Sequence, residues 1–254
     1  MSVACYRTKQ EKFMRYAILA DIHANYDALK AVLDALRSEK IDKYVCVGDI
    51  VGYGAEPAQC VTRIKKLCCA CVAGNHDFAT IERTNIEFFN AYAKEATFWT
   101  RERLSPQHRA YLEGLRLVED VDNLFTLVHG TLYSPALFDY IQTTFDAYLS
   151  FQVLEKPLCF VGHSHVPISF FLDDGVTYSV DPIVELKPGM KAIINVGSIG
   201  QPRDDNPDAA CAIYDSDKSV VWIKRLPYDV DKAAQKIKEA GLPVILGERL
   251  RVGR

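Results

Sequence analysis

Five of the chain's six histidines lie in short motifs that also carry aspartate, asparagine or glycine. In order these are Asp21-Ile22-His23, Gly48-Asp49, Gly74-Asn75-His76-Asp77, His129-Gly130 and Gly162-His163-Ser164-His165. Each follows a short apolar run that reads as a buried strand. Carboxylate, amide oxygen and imidazole are hard to borderline donors, which suit a divalent first-row metal such as manganese, iron or zinc. Their recurrence at strand ends points to one shared site.

The spacing adds detail. Residues i and i+2 of an extended strand share a face, so Asp21 and His23 should reach one ion together, and His163 and His165 likewise. Asp49 and Asn75 each follow a buried run, where a parallel sheet gathers ligands at its carboxyl ends. Gly48, Gly74, Gly130 and Gly162 adjoin the donors and permit tight turns and close approach. Seven donors, Asp21, His23, Asp49, Asn75, His129, His163 and His165, are too many for one ion that must keep a position for water. They suit two ions sharing a carboxylate.

The elements that must hold these donors read as an α/β fold. Apolar runs at 16–20, 43–47 and 69–73 predict strands, and helical spacing at 26–37 and 57–67 predicts helices between them. Strand, helix, strand, helix, strand implies a parallel sheet with right-handed crossovers. Residues 85–104 contain neither Gly nor Pro and predict one long helix. Ser105-Pro106 supplies a cap and a first-turn proline for a second helix. The pair, 84–116, reads as a helical hairpin on one side of the sheet whose aromatics, Phe88, Phe89, Tyr92, Phe98 and Trp99, pack into the core; the alternative is that Trp99 or a neighbour faces the substrate. Strands then dominate, at 124–128, 158–161, 168–172, 176–180, 192–196, 210–214 and 220–226, with a helix at 139–154 among them and another at 229–240. Residues 1–14 read as a flexible extension, with Met14 as an alternative start. Residues 15–245 read as one domain, and 246–254 as a polar tail.

Composition bounds the function. Half of the 254 residues are hydrophobic and the net charge is −3, so a large core is expected and a basic surface for duplex nucleic acid is not. No apolar stretch is long enough to span a membrane, and the first residues lack a signal-peptide core. The eight cysteines fit neither a C-x-x-C pair nor a zinc knuckle and read as buried, reduced thiols of a cytoplasmic protein. His108 stands outside any motif and reads as a surface or half-buried residue.

Taken together, D-x-H, G-D, G-N-H-D, H-G and G-H-S-H resemble, in order, the motif series of the calcineurin-like metallophosphoesterases. The stretches V-G-D-I-V-G-Y-G, V-A-G-N-H-D and N-V-G-S-I-G-Q-P-R-D are similar to a prokaryotic branch grouped with diadenosine tetraphosphatases and protein phosphatases. The resemblance implies a four-layer αββα sandwich of two mixed sheets flanked by helices. It implies that Asp21, His23 and His165 hold one divalent ion, that Asn75, His129 and His163 hold a second, and that Asp49 bridges them. His76 would face the scissile phosphate as general acid or transition-state stabiliser. The implied reaction is hydrolysis of a phosphodiester or phosphoanhydride in a small phosphorylated substrate, such as a nucleotide or dinucleoside polyphosphate, by a hydroxide shared between the metals. A phosphomonoesterase, including a protein phosphatase, is the alternative, and a scaffold that has lost catalysis is a third reading.

The chain departs from the protein-phosphatase pattern after Asp49. That pattern ends D-R-G, supplying an Asp that orients the catalytic His and an Arg that grips phosphate. Here the run is Ile50-Val51-Gly52-Tyr53-Gly54. Arg203, in Gly200-Gln201-Pro202-Arg203-Asp204, is the candidate replacement, because a guanidinium can hold phosphate through two parallel bonds. The competing reading pairs Arg203 with Asp204 or Asp205 at the surface. Tyr53 is a candidate for stacking on, or hydrogen bonding to, a leaving group.

Overall fold

The computed structural model describes residues 14–254. Its strands and α-helices run β1 (Arg15–Leu19), α1 (Tyr26–Leu36), β2 (Lys43–Cys46), α2 (Pro57–Leu67), β3 (Cys68–Cys71), α3 (Asn75–Thr80), α4 (Ala91–Arg101), α5 (Pro106–Glu113), β4 (Val118–Val121), β5 (Phe125–Val128), α6 (Thr144–Val153), β6 (Leu158–Val161), β7 (Ile168–Leu172), β8 (Val176–Ser179), β9 (Ile183–Glu185), β10 (Lys191–Asn195), β11 (Ala209–Asp215), β12 (Val220–Leu226), α7 (Val230–Glu239) and α8 (Val244–Val252). They form two six-stranded sheets, ordered β3-β2-β1-β11-β12-β9 and β4-β5-β6-β10-β7-β8.

Both sheets are mixed in the same way. In the first, β1, β2 and β3 are parallel and β11, β12 and β9 run antiparallel to their neighbours. In the second, β5, β6 and β10 are parallel, with antiparallel strands at either side. The expected βαβαβ start is therefore borne out.

Alternation of side chains along the strands explains the layers. Tyr16, Ile18 and Ala20 of the β1 segment point to the second sheet and join Phe125, Leu127, Phe160 and Ile194 in a shared core. Ala17 and Leu19 point the other way, to Leu29, Val32 and Leu36 of α1, Val61 and Ile64 of α2 and Leu112 of α5. On the far side of the second sheet, Cys159, Val161 and Phe170 pack on Ala147 and Phe151 of α6. The result is the helix–sheet–sheet–helix sandwich that the motif resemblance implied. Among the described residues no helix is long and apolar enough to cross a membrane.

Several elements differ from the sequence reading, each for a local reason. The long helix expected at 85–104 begins only at α4, because the Asn90 side chain accepts from Ala93 N at 2.9 Å and caps it there. The helix expected at 139–154 is α6, started by a reciprocal cap in which Thr143 N donates to Asp146 and Asp146 N donates to the Thr143 hydroxyl. The polar tail expected at 246–254 is mostly helix α8, whose Leu246 and Leu250 are buried. Residues 1–13 of the expected extension lie outside the described residues, and Met14 is bonded through its N–H to the Ser216 hydroxyl at 2.9 Å. Among the described residues seven cysteines are free thiols. Cys46, Cys60, Cys71, Cys159 and Cys211 are buried as expected, but Cys69 is exposed and Cys68 only partly covered.

Phe160 is buried between the sheets, 5.2 Å edge-to-face from the Phe125 ring. Phe160→Ala is expected to lower stability by about 3–5 kcal/mol, the range for an aromatic deleted from a packed core. Urea unfolding should show a lower midpoint at unchanged slope; an unchanged midpoint would mean that the sheets do not depend on this core.

Candidate metal centre

Six parallel strands deliver the motif residues to one edge of the sandwich. β1 leads to Asp21 and His23, β2 to Asp49, and β3 to Asn75 at the first turn of α3. From the second sheet, β5 leads to His129, β6 to His163 and His165, and β10 to the loop carrying Arg203. The seven predicted donors come together, all buried.

They form two groups. Asp21, His23, Asp49 and His165 offer ligand atoms within 4.8 Å of one another, and Asp49, His129 and His163 do the same. Asn75 joins the second group, its Oδ1 3.2 Å from His129 Nε2. Asp49 belongs to both. Its Oδ1 accepts from His76 N at 2.8 Å, while its Oδ2 is buried without a hydrogen-bond partner, 3.2 Å from His129 Nε2 and 3.6 Å from His23 Nε2. An orphaned carboxylate oxygen between two sets of imidazoles is what a pair of shared cations would satisfy. Among the described residues, no cysteine enters either group.

Backbone contacts hold the imidazoles in register. Nδ1 of His23 faces Val51 O at 3.1 Å, Nδ1 of His129 faces Val47 O at 2.8 Å and Nδ1 of His165 faces Gln201 O at 2.5 Å. Each carbonyl takes an Nδ1 proton and leaves Nε2 free to ligate. His163 is the exception, since its Nδ1 faces His129 Nε2 at 3.2 Å. The Tyr140 ring stacks on it at 4.1 Å.

The strand-face argument for Asp21 with His23 and for His163 with His165 does not hold. Asp21, His23, Asp49, His163 and His165 all have φ between 48° and 68°. They sit in left-handed turns beyond the strands, a conformation in which Asp and His are enriched among non-glycine residues. His163 and His165 fall into different donor groups. Glycine is required at two close approaches: a Cβ on Gly74 would lie 2.0 Å from Asp49 Oδ1, and one on Gly162 2.4 Å from Asp21 Oδ2.

Comparison with known proteins gives this geometry its context. A calcineurin-like phosphoesterase family profile matches residues 14–194. The chain belongs to that family. Protein MJ0912 of Methanocaldococcus jannaschii, described as uncharacterized, is 36% identical over 247 residues, covering 94% of this chain and 98% of its own. The crystal structure of a metallophosphoesterase from Sphaerobacter thermophilus superposes with a TM-score of 0.83 at 37% identity, over 95% of this chain and 99% of that one. Protein PH1004 of Pyrococcus horikoshii shares the fold at a TM-score of 0.75 and 22% identity, over 94% of this chain and 98% of its own.

Electrostatics in this phosphoesterase centre on Asp49. Burial alone would raise its carboxyl, but His129, with His76 and His23, holds it well below the usual range. Burial would lower His129, yet the Asp49 and Asp21 carboxylates outweigh it and lift the imidazole to about 10. Without a cation, a protonated His129 thus supplies the positive charge that Asp49 needs. Burial pushes His23, His163 and His165 down, and takes His76 to about 4.

Asp77, the last residue of the third motif, had no assigned role in the sequence. Its Oδ1 accepts from Ile50 N and Val51 N at 2.9 and 3.2 Å, and its Oδ2 from Gly74 N at 3.0 Å, tying the Asp49 loop to the start of α3. An acidic residue three positions after Gly74, at a helix start, was the available signal. Burial, then the Asp49 charge, lift its carboxyl to about 7.

His76, Tyr53 and Arg203 border an open cleft of about 420 Å³ over the donors. The Tyr53 ring lies 4.7 Å from His23 and 4.5 Å from His76. Arg203 Nη2 donates to Gln201 Oε1 at 2.9 Å and to the Tyr53 hydroxyl at 3.4 Å. The surface reading of Arg203 fails, because Asp204 pairs with Arg225 and Asp205 with Arg254. Among the described residues Arg203 has no carboxylate partner. His76 Nδ1 is buried without a partner, and Gly52 stands where an orienting acid would have to be, a Cβ there lying 2.7 Å from that nitrogen. The hairpin aromatics divide. Trp99 donates to Ala240 O at 2.9 Å and packs, whereas Phe88 and Phe89 line the cleft. His108 is half-buried, bonded to the Thr62 hydroxyl.

The metal-free protein should lose stability in mild acid. His23, His76, His163 and His165 are depressed, so below pH ~6.5 the unfolded chain takes up their protons and the folded chain does not until well lower, about pH 4 for His76. Asp77 opposes this with one proton held by the folded form below about 7. His129, already protonated in the metal-free fold, opposes it further until the unfolded imidazole also carries its proton. Four imidazoles outweigh these two groups, so the melting temperature of chelator-treated protein should fall from pH 7 to pH 5. A constant or rising value would contradict these assignments.

Proposed function

We propose that this chain is a two-metal phosphoesterase that hydrolyses a phosphodiester or phosphoanhydride in a small phosphorylated substrate, such as a nucleotide. The observation that carries this reading is the unpartnered Asp49 Oδ2 shared by two donor groups at the floor of the cleft. Asp21, His23, His165 and Asp49 would hold one ion; Asn75, His129, His163 and Asp49 would hold the other. When bound, such a pair supplies an activated water near neutral pH and neutralises charge on phosphoryl oxygens. Manganese, iron and zinc all fit a set of carboxylate, amide and imidazole donors.

The chain's own groups complete the chemistry. The Arg203 guanidinium, free of any carboxylate among the described residues, can bind a phosphoryl group of the substrate by charge-assisted hydrogen bonds. With its value depressed to about 4, His76 enters the encounter neutral and offers one ring N–H. An arriving phosphate adds negative charge beside the ring and favours its protonation, readying it to donate to the leaving oxygen. Tyr53 supports both, packed against His76 and bonded to Arg203.

The walls favour a substrate with a planar group. Phe88 is 95% exposed at the cleft, and Phe89 and Tyr140 also line it. An apolar ring held in water beside an anion-binding floor suits stacking on a nucleobase. The lack of the D-R-G acid and arginine argues against a protein phosphatase, and the complete donor set argues against an inert scaffold. Seven free thiols among the described residues agree with a reducing, cytoplasmic setting.

A turnover screen on metal-depleted protein with manganese added back tests this reading, comparing an alkyl phosphomonoester, a phosphodiester and a dinucleoside polyphosphate. Activity on the last two is expected, and activity on the monoester alone would favour the alternative. Arg203→Ala should cut kcat/KM by about ten- to a hundredfold, the scale of one lost charge-assisted contact. Arg203→Lys should restore part of it, with metal content unchanged; a wild-type kcat/KM for Arg203→Ala would remove Arg203 from substrate binding.

A further inference from the structure

The loop that carries Arg203 is fastened from two directions. On the side of the donors, Arg203 N donates to His165 O at 3.3 Å. On the other side, Arg225 of β12 grips the Asp204 carboxylate at 2.9 and 3.1 Å and also donates to Asn206 O at 2.7 Å. Between Asp204 and Asn206 the chain meets the residues after α8. Asp205 N donates to Gly253 O at 3.0 Å, and Arg254 pairs with the Asp205 carboxylate. Gly253 is buried with φ 63°, and a Cβ there would meet Asn206 N, C and O at 2.5, 2.6 and 2.7 Å. Both conditions require glycine.

The same helix reaches the aromatic ring on which Arg203 leans. Leu246 and Leu250 of α8 are buried in one cluster with Tyr53, Ala93 and Ala96. They also line a small cavity with His23, Tyr53 and Gln201. α8 therefore shares a packed cluster with Tyr53 through its leucines, and the chain just after it meets the Arg203 loop through Gly253. The Arg203–Tyr53 contact, 3.4 Å from nitrogen to hydroxyl, spans the two.

We propose that α8 and Gly253 are a positioning element for the phosphate grip, setting where the Arg203 guanidinium stands relative to Tyr53 and the cleft. This rests on the phosphoesterase reading for its substrate but not for its geometry. Gly253 contributes nothing to the donor set, so lifting the loop should weaken the hold on phosphate and spare the metals.

The test compares Gly253→Val and the smaller intrusion Gly253→Ala with the wild-type full chain, all loaded with manganese. Affinity for inorganic phosphate is read by calorimetry, KM and kcat on the best substrate, and manganese by elemental analysis. Phosphate affinity is expected to fall about tenfold and KM to rise by a similar factor, with kcat within about twofold and manganese unchanged. In an Arg203→Ala background, Gly253→Ala should add no further loss, because the two changes act on one contact. Wild-type phosphate affinity in Gly253→Ala, or losses that multiply with Arg203→Ala, would overturn the proposal. If Gly253→Val does not fold, Gly253→Ala decides. If the wild-type protein binds manganese and phosphate but turns nothing over, the phosphoesterase reading fails while the phosphate comparison still decides the positioning role.

Discussion

A buried carboxylate oxygen with no hydrogen-bond donor is unfavourable by several kcal/mol unless a charge lies against it. Asp49 Oδ2 makes no well-aligned hydrogen bond among the described residues, and the architecture around it is organised to supply that charge. Its companion oxygen is committed to His76 N. Imidazoles from both sheets converge on the open side, and His129 carries the compensating proton when no cation does. Metal binding must displace that proton, so affinity for metal is tied to pH through this one pair.

The two sheets share the site unevenly. The first supplies Asp21, His23, Asp49 and Asn75, the second His129, His163 and His165. Each donor group draws on both: His165 completes the first group, while His129 and His163 meet Asp49 and Asn75 in the second. A slip between the sheets would therefore dismantle both groups at once. The inter-sheet core around Phe125 and Phe160 is part of the site in this sense, since β5 and β6 lead from it directly to His129 and His163. Five donors in left-handed backbone add strain of about 1–2 kcal/mol each, which the surrounding core must offset.

The donor identities were legible in the sequence because their chemistry is unambiguous: few structural roles require Asp, Asn and His beside glycine after successive apolar runs. Their geometry was not. Asp21 with His23 looked like neighbours on one strand face, but left-handed turns bring them together, and φ signs are invisible when the residue is not glycine. The parallel start of the fold could be read because helical and strand periods alternate cleanly there. Residues 84–90 read as helix because they hold no Gly or Pro to mark a break, yet α4 starts only where Asn90 caps it. Helix α8 was missed because its charged residues mask two buried leucines, and with it the contact to the Arg203 loop went unseen. The division of the hairpin aromatics, Trp99 into packing and Phe88 into the cleft, depends on tertiary position that no spacing rule records.

A single carboxylate shared by two cation sites would leave a magnetic signature. Electron paramagnetic resonance of the metal-depleted protein titrated with manganese addresses it directly, because two Mn²⁺ ions sharing a carboxylate couple magnetically. Two equivalents should bind, with the six-line signal of isolated Mn²⁺ giving way to the broadened spectrum of a coupled pair. Saturation at one equivalent, or two equivalents that keep independent six-line signals, would contradict a shared Asp49.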